Sequence, residues 1–549
     1  MNGPIPPIWT TGSTTVFKTG TWRTAAPQYI HAPSPCHGAC PVNGDIAEWI
    51  GLARVRDFRG AWAVLTRHNP FPAIAGRICH HPCEAACNRA GFDQSLAICH
   101  LERFIGDEAL AQGWSFAAPA IERSERIAVV GGGPSGLSTA FQLRRLGYGV
   151  TLFEAQAELG GVMRYGIPSY RLARSVLEGE IARVVALGVE VRCGVEFGAA
   201  VDLDELRGQY NAVYLALGAG RQKRLPQLDY REPWVIDGAE YLARANGGQP
   251  PVLGRRVVVI GGGSAAIDVA RSARRAGHDV TIVALEGVSQ MPAQRAEIDE
   301  ALEEGVVLVG GAMLEQVAQV PGGLRLELTR VRFAPGERRG QFTVTRMADS
   351  AFALLADAIV PSIGQDPQLE PVQALAGTDG LLAVDAHQAT RAPRVYAGGD
   401  VTSMARFVTE AIGMGKRAAK AIDRELRAAA DEAPAPPATE SEVALSSINT
   451  FYFPPQARAQ EERLDAVQRL HGAGEVQLGF DVEQALAETH RCFSCGTCIL
   501  CDACVSSCPD LALRRVADGY EVLADYCKGC GLCVKECPTG SMKMVEEAR

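Results

Sequence analysis

The sequence predicts a multidomain chain: an α-helical N-terminal domain, two α/β dinucleotide-binding domains with the second inserted in the first, and a small α+β domain at the C-terminus. Three observations carry this. A strand, a glycine-rich turn and a helix occur twice in near-copy, at Arg126–Val130 followed by GGGPSG and at Arg256–Ile260 followed by GGGSAA. The spacing CxxCxxCxxxCP also occurs twice, near the C-terminus. Finally, the 17 cysteines are segregated: six lie between Cys36 and Cys99, ten between Cys492 and Cys537, and Cys193 stands alone in the middle.

Length and composition are consistent with this plan. At roughly 100 to 200 residues per domain, 549 residues support three or more domains. With 47% apolar and 21% charged residues, the chain is not intrinsically disordered. A net charge of −9 gives no reason to expect nucleic acid or an anionic membrane. No apolar run approaches the roughly 18 residues of a membrane helix, and the first residues show no basic region followed by an apolar one. Membrane insertion and export are therefore not expected. Two metal-ligand clusters in a reducing cytoplasm explain the cysteines better than an extracellular disulfide framework.

Residues 1–120 read as a mostly helical domain with proline-punctuated cysteine loops, 121–235 with 356–427 as the first dinucleotide domain, and 236–355 as the second. From about Ile121 onward, short apolar strands alternate with amphipathic stretches, the rhythm of a parallel sheet covered by helices. Residues 428–475 are read as a linker, acidic and Ala/Pro-rich from Arg427 to Glu442, and 476–549 as the last domain.

Both glycine turns sit between a predicted strand and a predicted helix, as a Rossmann-like fingerprint requires. At the first, Gly131, Gly133 and Gly136 allow a tight turn, close backbone approach to a pyrophosphate and close helix packing, with Pro134 and Ser135 opening the helix. Glu154 ends the following strand, where its carboxylate can accept hydrogen bonds from an adenosine ribose. At the second, Gly261, Gly263 and Ala266 fill the same places, with Ser264 and Ala265 between them. Glu286 follows the next strand, and a carboxylate there suits the free 2′-hydroxyl of NADH and repels the 2′-phosphate of NADPH. Two such sites favour a flavoprotein with FAD in one domain and NAD(P)H, NADH preferred, in the other. Gly399 and Asp400 end a further strand, Val395–Asp400, placed to meet flavin ribityl or phosphate groups.

Cys498, Cys501, Cys504 and Cys508-Pro509 form one C-terminal run, and Cys527, Cys530, Cys533 and Cys537-Pro538 the other. This is the bacterial ferredoxin spacing for two [4Fe–4S] clusters, in which the fourth cysteine of each run serves the other cluster. Cys498, Cys501, Cys504 and Cys537 therefore form one set, and Cys527, Cys530, Cys533 and Cys508 the second. Zinc gives no reason for this repeated spacing. Cys492 and Cys495 extend the first run backwards at the same spacing and have no assignment.

Residues 30–425 resemble the glutamate synthase small subunit and its relatives, which include the nicotinamide-binding large subunit of the NADH-dependent ferredoxin:NADP oxidoreductase and the N-terminal half of dihydropyrimidine dehydrogenase. The matching residues are Cys36-x3-Cys40-Pro, Asn69-Pro-Phe-Pro72, Gly76-Arg-Ile-Cys79-x3-Cys83-Glu84-x2-Cys87, GGGPSG, Leu159 to Pro168, and Gly398-Gly-Asp400. The C-terminal block looks like the small ferredoxin subunit of 2-oxoacid:ferredoxin oxidoreductases.

The resemblance implies FAD at the first fingerprint, NAD(P)H at the second and [4Fe–4S] ligation near the N-terminus. It also places Gly160, Gly161, Met163, Tyr165 and Pro168 beside the flavin ring. The longest relatives carry a CxxC pair ahead of Cys36 and bind two N-terminal clusters with it. No cysteine precedes Cys36 here, so one cluster is expected, held by Cys40, Cys79, Cys83 and a fourth ligand from Cys36, Cys87, Cys99 or Glu102. NADPH-using relatives carry an Arg pair where this chain has Leu285-Glu286, which reinforces NADH.

The expected activity is hydride transfer from nicotinamide to flavin, then one-electron transfer through clusters, and it needs no acid, base or nucleophile. A second possibility is a glutamate synthase small subunit serving a glutamate-forming large subunit, and a third a non-catalytic electron-transfer or assembly module. The extra ferredoxin block and Glu286 favour the first. The expected partner is a redox protein, such as a 2-oxoacid:ferredoxin oxidoreductase or a ferredoxin, in a hetero-oligomer.

Overall fold

The computed structural model describes residues 18–30, 32–337, 340–428, 441–472, 474–517 and 519–547. Most of the acidic Ala/Pro-rich stretch, 429–440, lies outside the described residues, as do residues 1–17.

The first dinucleotide unit is a five-stranded parallel sheet in the order Val395–Ala397, Ala212–Leu215, Arg126–Val130, Gly149–Glu154, Glu190–Cys193. Its strands are apolar almost throughout because both faces are covered. Alternation still assigns each residue to a face: Ile127, Val129, Val150 and Leu152 enter one core, while Ala128, Val130, Phe153 and Val213 enter another. The helix Pro134–Arg145 follows the first strand, and Val408–Ala428 packs along it.

The second unit is a four-stranded parallel sheet, Ala358–Pro361, Arg256–Ile260, Asp279–Val283, Val307–Val309. Val257, Val259, Val280 and Ile282 face its helices. Val258, Ile260, Val283 and Ile359 face a three-stranded antiparallel sheet formed by Ala312–Val320, Gly323–Pro335 and Phe342–Ala356. The chain leaves the first unit at Arg221–Gln222 and returns at Gln365–Asp366, and these two short strands pair with each other. The second unit is thus an insertion in the first, as the sequence implied.

The N-terminal domain packs helices Ile46–Arg54, Phe58–Leu65, Pro72–Ile78 and Ile98–Ala111 around Trp49, Ile50, Trp62 and Leu101. Two of them cross at backbone contact, since a Cβ on Gly76 would lie 2.4 Å from Arg103 Cα and one on Gly106 2.2 Å from Ala73 N. Glu180, fully buried in the flavin unit, accepts from Ala73 N and Ile74 N at 3.0 and 2.9 Å, capping the start of Pro72–Ile78. This bond locks the cysteine-bearing domain to the first dinucleotide unit.

Two segments depart from the boundaries read in the sequence. Ala25–Tyr29 pairs antiparallel with Met542–Glu546, so the chain's beginning adds a strand to the C-terminal unit, beside the hairpin Leu513–Val516/Gly519–Val522. The described residues 441–472 and 474–475, which the sequence reading places in the linker, are seated on the body. Val443 is buried with Ala32, Ile448 and Phe493, Glu475 pairs with Arg77 and Arg103, and Arg469 pairs with Glu303 at 2.7 Å.

Candidate flavin, nicotinamide and iron–sulfur sites

One cleft of about 1560 Å³ runs between the two dinucleotide units. Pockets for one small molecule span roughly 300–1,000 Å³, so this cleft has room for more than one. Gly131, Gly133, Pro134, Ser135, Glu154 and Gly161 line one end. Gly261, Gly263, Ser264, Ala265 and Glu286 line the other, and Gly399 and Asp400 enter from the strand Val395–Ala397.

The glycine turn is built as a dinucleotide cradle. Gly131 has φ +106, and a Cβ there would stand 2.2 Å from Ala216 O. Gly133 begins the helix Pro134–Arg145 and leaves its backbone open, the nearest atom to a Cβ being Gly161 Cα at 3.9 Å. Gly136 lies beneath the turn, not on the cleft: its Cβ would sit 1.9 Å from Gly131 O. Ala266 takes that place in the second copy, fully buried. The N-terminus of each following helix faces the cleft, which suits a pyrophosphate.

The two acidic residues correspond. Glu154 Oε2 accepts from Gly132 N at 2.7 Å and Oε1 from Gln156 N at 2.8 Å, so two of roughly four acceptor positions are used and the rest face the cleft. Glu286 approaches the middle glycine of its own turn in the same way, with Oε2 2.8 Å from where a Cβ on Gly262 would be. Burial raises the carboxyl pKa of Glu286, and also that of Asp400, where Arg406 opposes the shift.

The loop from Leu159 to Pro168 corrects part of the sequence expectation. Gly161 lines the cleft, and Gly160, at φ +126, donates to Gly132 O at 2.8 Å, holding the loop to the fingerprint. Met163, Tyr165 and Pro168 do not line it. Met163 is fully buried in the core beneath the sheet, and the Tyr165 hydroxyl donates to Glu158 O at 3.3 Å. Pro168 O accepts from Arg171 N and Leu172 N in a turn. These residues shape the loop from behind.

Two residues that the sequence marks only by position, His80 beside a cluster cysteine and Phe407 at a helix start, complete the cleft. His80 and Phe407 both line it, with their rings stacked at 3.9 Å between centroids. His80 follows Cys79, whose thiol donates to Thr409 Oγ1 at 3.7 Å in the first turn of Val408–Ala428. Gly413 of that helix lies against the loop after Cys40, where a Cβ would be 2.2 Å from Pro41 O. The N-terminal cysteines therefore sit directly behind the flavin-side wall of the cleft.

Cys40, Cys79, Cys83 and Glu102 form one group. Burial pushes the Cys40 thiol up to about 11 and Cys79 to about 12, with Glu102 adding to both, and Cys83 feels Cys40, Cys79 and Glu102 in the same direction. Glu102 is itself raised to about 7 by burial, while Asn69 Nδ2 donates to it at 2.8 Å. Thiols so buried ionise only against a strong local positive charge, which a bound iron cluster supplies. Cys99 also neighbours Cys79, Cys83 and Glu102, and its thiol donates to Gly76 O at 3.3 Å. Cys36 and Cys87 neighbour Cys492 and Cys495 instead.

In the C-terminal unit Cys504 has Cys501, Cys498 and Cys537 around it, and Cys508, Cys527, Cys530 and Cys533 line one small cavity. Among the described residues no three His, Cys, Asp or Glu side chains are arranged to hold a single metal ion. Thiolates spread around a four-iron cube stand farther apart than those around one ion held at about 2.3 Å.

A cradle for two dinucleotides backed by sulfur-rich groups defines a flavin- and nicotinamide-dependent iron–sulfur oxidoreductase. Comparison with known proteins agrees. The model of the pyridine nucleotide-disulphide oxidoreductase family matches residues 121–415, and the chain belongs to that family. Dihydropyrimidine dehydrogenase domain II, a 4Fe-4S cluster domain, matches residues 29–114, and the 4Fe-4S binding domain matches 520–543. The chain is 32% identical to the NADP(+)-dependent formate dehydrogenase subunit beta of Moorella thermoacetica, over 84% of this chain and 70% of that one. It is 32% identical to the NAD-dependent dihydropyrimidine dehydrogenase subunit PreT of Escherichia coli O157:H7, over 72% and 92%. It is 30% identical to the NADPH-Fe(3+) oxidoreductase subunit beta of Geobacter sulfurreducens, over 84% and 75%.

Proposed function

We propose that this chain is the electron-input subunit of a larger redox assembly, taking electrons from NADH and delivering them singly to a protein partner. The carrying observation is the single cleft that joins both fingerprints and has the Cys79 group immediately behind its wall. Bound FAD would accept a hydride from the nicotinamide and release its two electrons one at a time to [4Fe–4S] clusters.

The chain's own residues bind and orient. Gly131, Gly133 and the start of Pro134–Arg145 hold the flavin pyrophosphate, Glu154 accepts from its ribose, and Gly399 and Asp400 meet its ribityl phosphate portion. Gly261, Gly263, Ser264 and Ala265 hold the nicotinamide nucleotide, and Glu286 accepts from the free ribose hydroxyls of NADH. His80 and Phe407 close the cleft on the cluster side and keep water out. Cys40, Cys79, Cys83 and Glu102 hold the cluster nearest the flavin, and the two C-terminal sets hold the clusters that meet the partner.

A reducing cytoplasm fits seventeen cysteines with no disulfide. Among the described residues no helix is long and apolar enough to cross a membrane. Three of the relatives are named as subunits, which supports a hetero-oligomer. The partner reading that fits the ferredoxin block best is a 2-oxoacid:ferredoxin oxidoreductase or a ferredoxin. Anaerobic mixing with NADH and with NADPH tests the nucleotide and flavin roles, and identification of proteins that co-purify with the native chain tests the partner.

A further inference from the structure

We infer that Cys36, Cys87, Cys492 and Cys495 hold a fourth [4Fe–4S] cluster, assembled from both ends of the chain and lying between the flavin-side cysteine group and the ferredoxin unit. Cys492 and Cys495 thereby supply a CxxC pair, which residues 1–35 do not contain. The site rests on the iron–sulfur reading of the chain and not on its nucleotide preference.

The first observation is proximity. Residues 488–496 are fastened to the N-terminal domain by buried polar bonds. Arg491, fully buried, donates to Gln94 O at 2.7 Å and pairs with Asp93 and Glu488. Arg54 donates to Cys492 O at 2.8 Å. Asn88, next to Cys87, donates from Nδ2 to Cys495 Sγ at 3.5 Å, across 407 residues of sequence. Phe493, between the two cysteines, is buried against Ala32 and Val443 and contacts Phe92 and Phe453. Cys36, Cys87 and Cys492 pack on the same helical core. The Cys36 thiol has Cys492, Cys495 and Cys87 as neighbours.

The second observation is the conformation of the loop. In Cys527-Lys-Gly529-Cys530-Gly531 the third and fifth residues are left-handed, both at φ +74. In Cys498-Ile-Leu500-Cys501-Asp502 the same positions have φ +53 and +59, although neither is glycine. Cys492-Phe-Ser494-Cys495-Gly496 repeats the pattern at +52 and +74. A left-handed Ser or Leu is uncommon and is kept where the surroundings demand it. The demand is visible in the hydrogen bonds: Ser494 N donates to Cys492 Sγ at 3.4 Å, as Leu500 N donates to Cys498 Sγ at 3.4 Å. The loop at Cys492 thus has the sulfur-directed backbone of the two ferredoxin loops.

The third observation is placement. Cys36 and Cys40 stand one helical turn apart, with Cys40 N donating to Cys36 O at 3.2 Å, and side chains so spaced lie about 5–6 Å apart at Cβ. Cys83 lies in the short helix Pro82–Ala85 and Cys87 just past its end, with Cys87 N donating to Glu84 O at 3.2 Å. Each short helix, with the residues that end it, therefore gives one thiol to the flavin-side group and one to this site. On the other side Cys495 and Cys498 are three residues apart, and Cys498 belongs to the first ferredoxin set. This site therefore neighbours the flavin-side group through Cys36 and Cys87 and the first ferredoxin set through Cys495. Arg54, bonded to Cys492 O, supplies a fixed positive charge beside the site.

The test is iron and acid-labile sulfide counted on the full chain, purified anaerobically and reconstituted, with flavin content read on the same samples to report folding. Four clusters correspond to about sixteen irons per chain and three to about twelve. Wild type is expected near sixteen, and Cys492→Ser/Cys495→Ser near twelve, with one fewer reduced-cluster spin by electron paramagnetic resonance. Cys36→Ser, at the other end of the chain, should lose the same four. The triple variant should also lose four and not eight, since residues of one site are not additive. Cys193→Ser, an exposed thiol outside every group, should keep sixteen. A wild type near twelve irons, an unchanged count in the Cys492/Cys495 variant, one zinc in place of four irons, or additive losses from Cys36 and Cys492 would each overturn the site. A wild type near twelve whose flavin still bleaches with NADH would remove this cluster and leave the electron-input reading standing.

Discussion

Reversing the charge at Glu286 should reverse the nucleotide preference. The carboxylate lies on the cleft beside the second glycine turn, and burial makes its environment poor at screening. Two unit charges about 4 Å apart interact by about 1 kcal/mol in bulk water and about 4 kcal/mol at an effective dielectric of 20. With Glu286 present, this acts against the 2′-phosphate of NADPH, and with Arg in its place it acts for it. Replacing the carboxylate also removes a charge-assisted hydrogen bond to the ribose hydroxyl of NADH, a loss of about 1.5–3 kcal/mol. At about 1.4 kcal/mol per tenfold, Glu286→Arg should lower kcat/KM for NADH by roughly ten- to a hundredfold and raise it for NADPH. The assay is anaerobic, with an artificial one-electron acceptor and both nucleotides measured on both proteins. A wild type that already prefers NADPH, or a variant whose ratio of the two kcat/KM values is unchanged, would refute the reasoning.

Three further substitutions test the frame around the cleft. Gly136→Val places a Cβ 1.9 Å from Gly131 O, so the purified variant should lack flavin in its absorption spectrum while the second fingerprint remains intact. Gly413→Ala presses a Cβ to 2.2 Å from Pro41 O, at the joint between flavin helix and cysteine domain. Overpacking of this kind costs about 1–3 kcal/mol, and it should slow electron transfer from reduced flavin to the clusters, followed by stopped-flow absorbance, more than it slows flavin reduction. Arg271 is buried between Glu300 and Glu304, each at 2.6 Å, and its guanidinium lies 4.8 Å from the Tyr170 ring centroid. Arg271→Ala leaves buried Glu300 with only Arg463 at 3.8 Å and Glu304 with Arg275 at 2.8 Å, and should destabilise the second unit by up to about 3–5 kcal/mol in denaturant unfolding.

What was legible in the sequence was local. The fingerprints at Gly131 and Gly261 and the runs from Cys498 and Cys527 are each recognisable from a spacing confined to one turn or one loop. Their surroundings are assembled across the chain. Ala25–Tyr29 finds its partner at Met542–Glu546, and nothing in a five-residue strand names a partner at the opposite end. His80 and Phe407 come from different domains and meet only through packing. The Leu159–Pro168 loop was assigned as a unit by resemblance. Its side chains diverge, Gly161 reaching the cleft while Met163 turns into the core. Cys492 and Cys495 had a recognisable spacing but no visible partners, since Cys36 and Cys87 lie some four hundred residues away and are brought near by Arg491, Asn88 and Phe493.

The central claim is that one cleft passes electrons from a nicotinamide nucleotide to flavin and then to clusters. It is tested most directly by anaerobic titration of the reconstituted chain with NADH, with the flavin absorption band and the cluster signals followed together. The account predicts that the flavin band bleaches on the first addition and that more than one NADH is consumed per chain, because the clusters take electrons beyond the two that flavin holds. A flavin band that stays unbleached at excess NADH would contradict it.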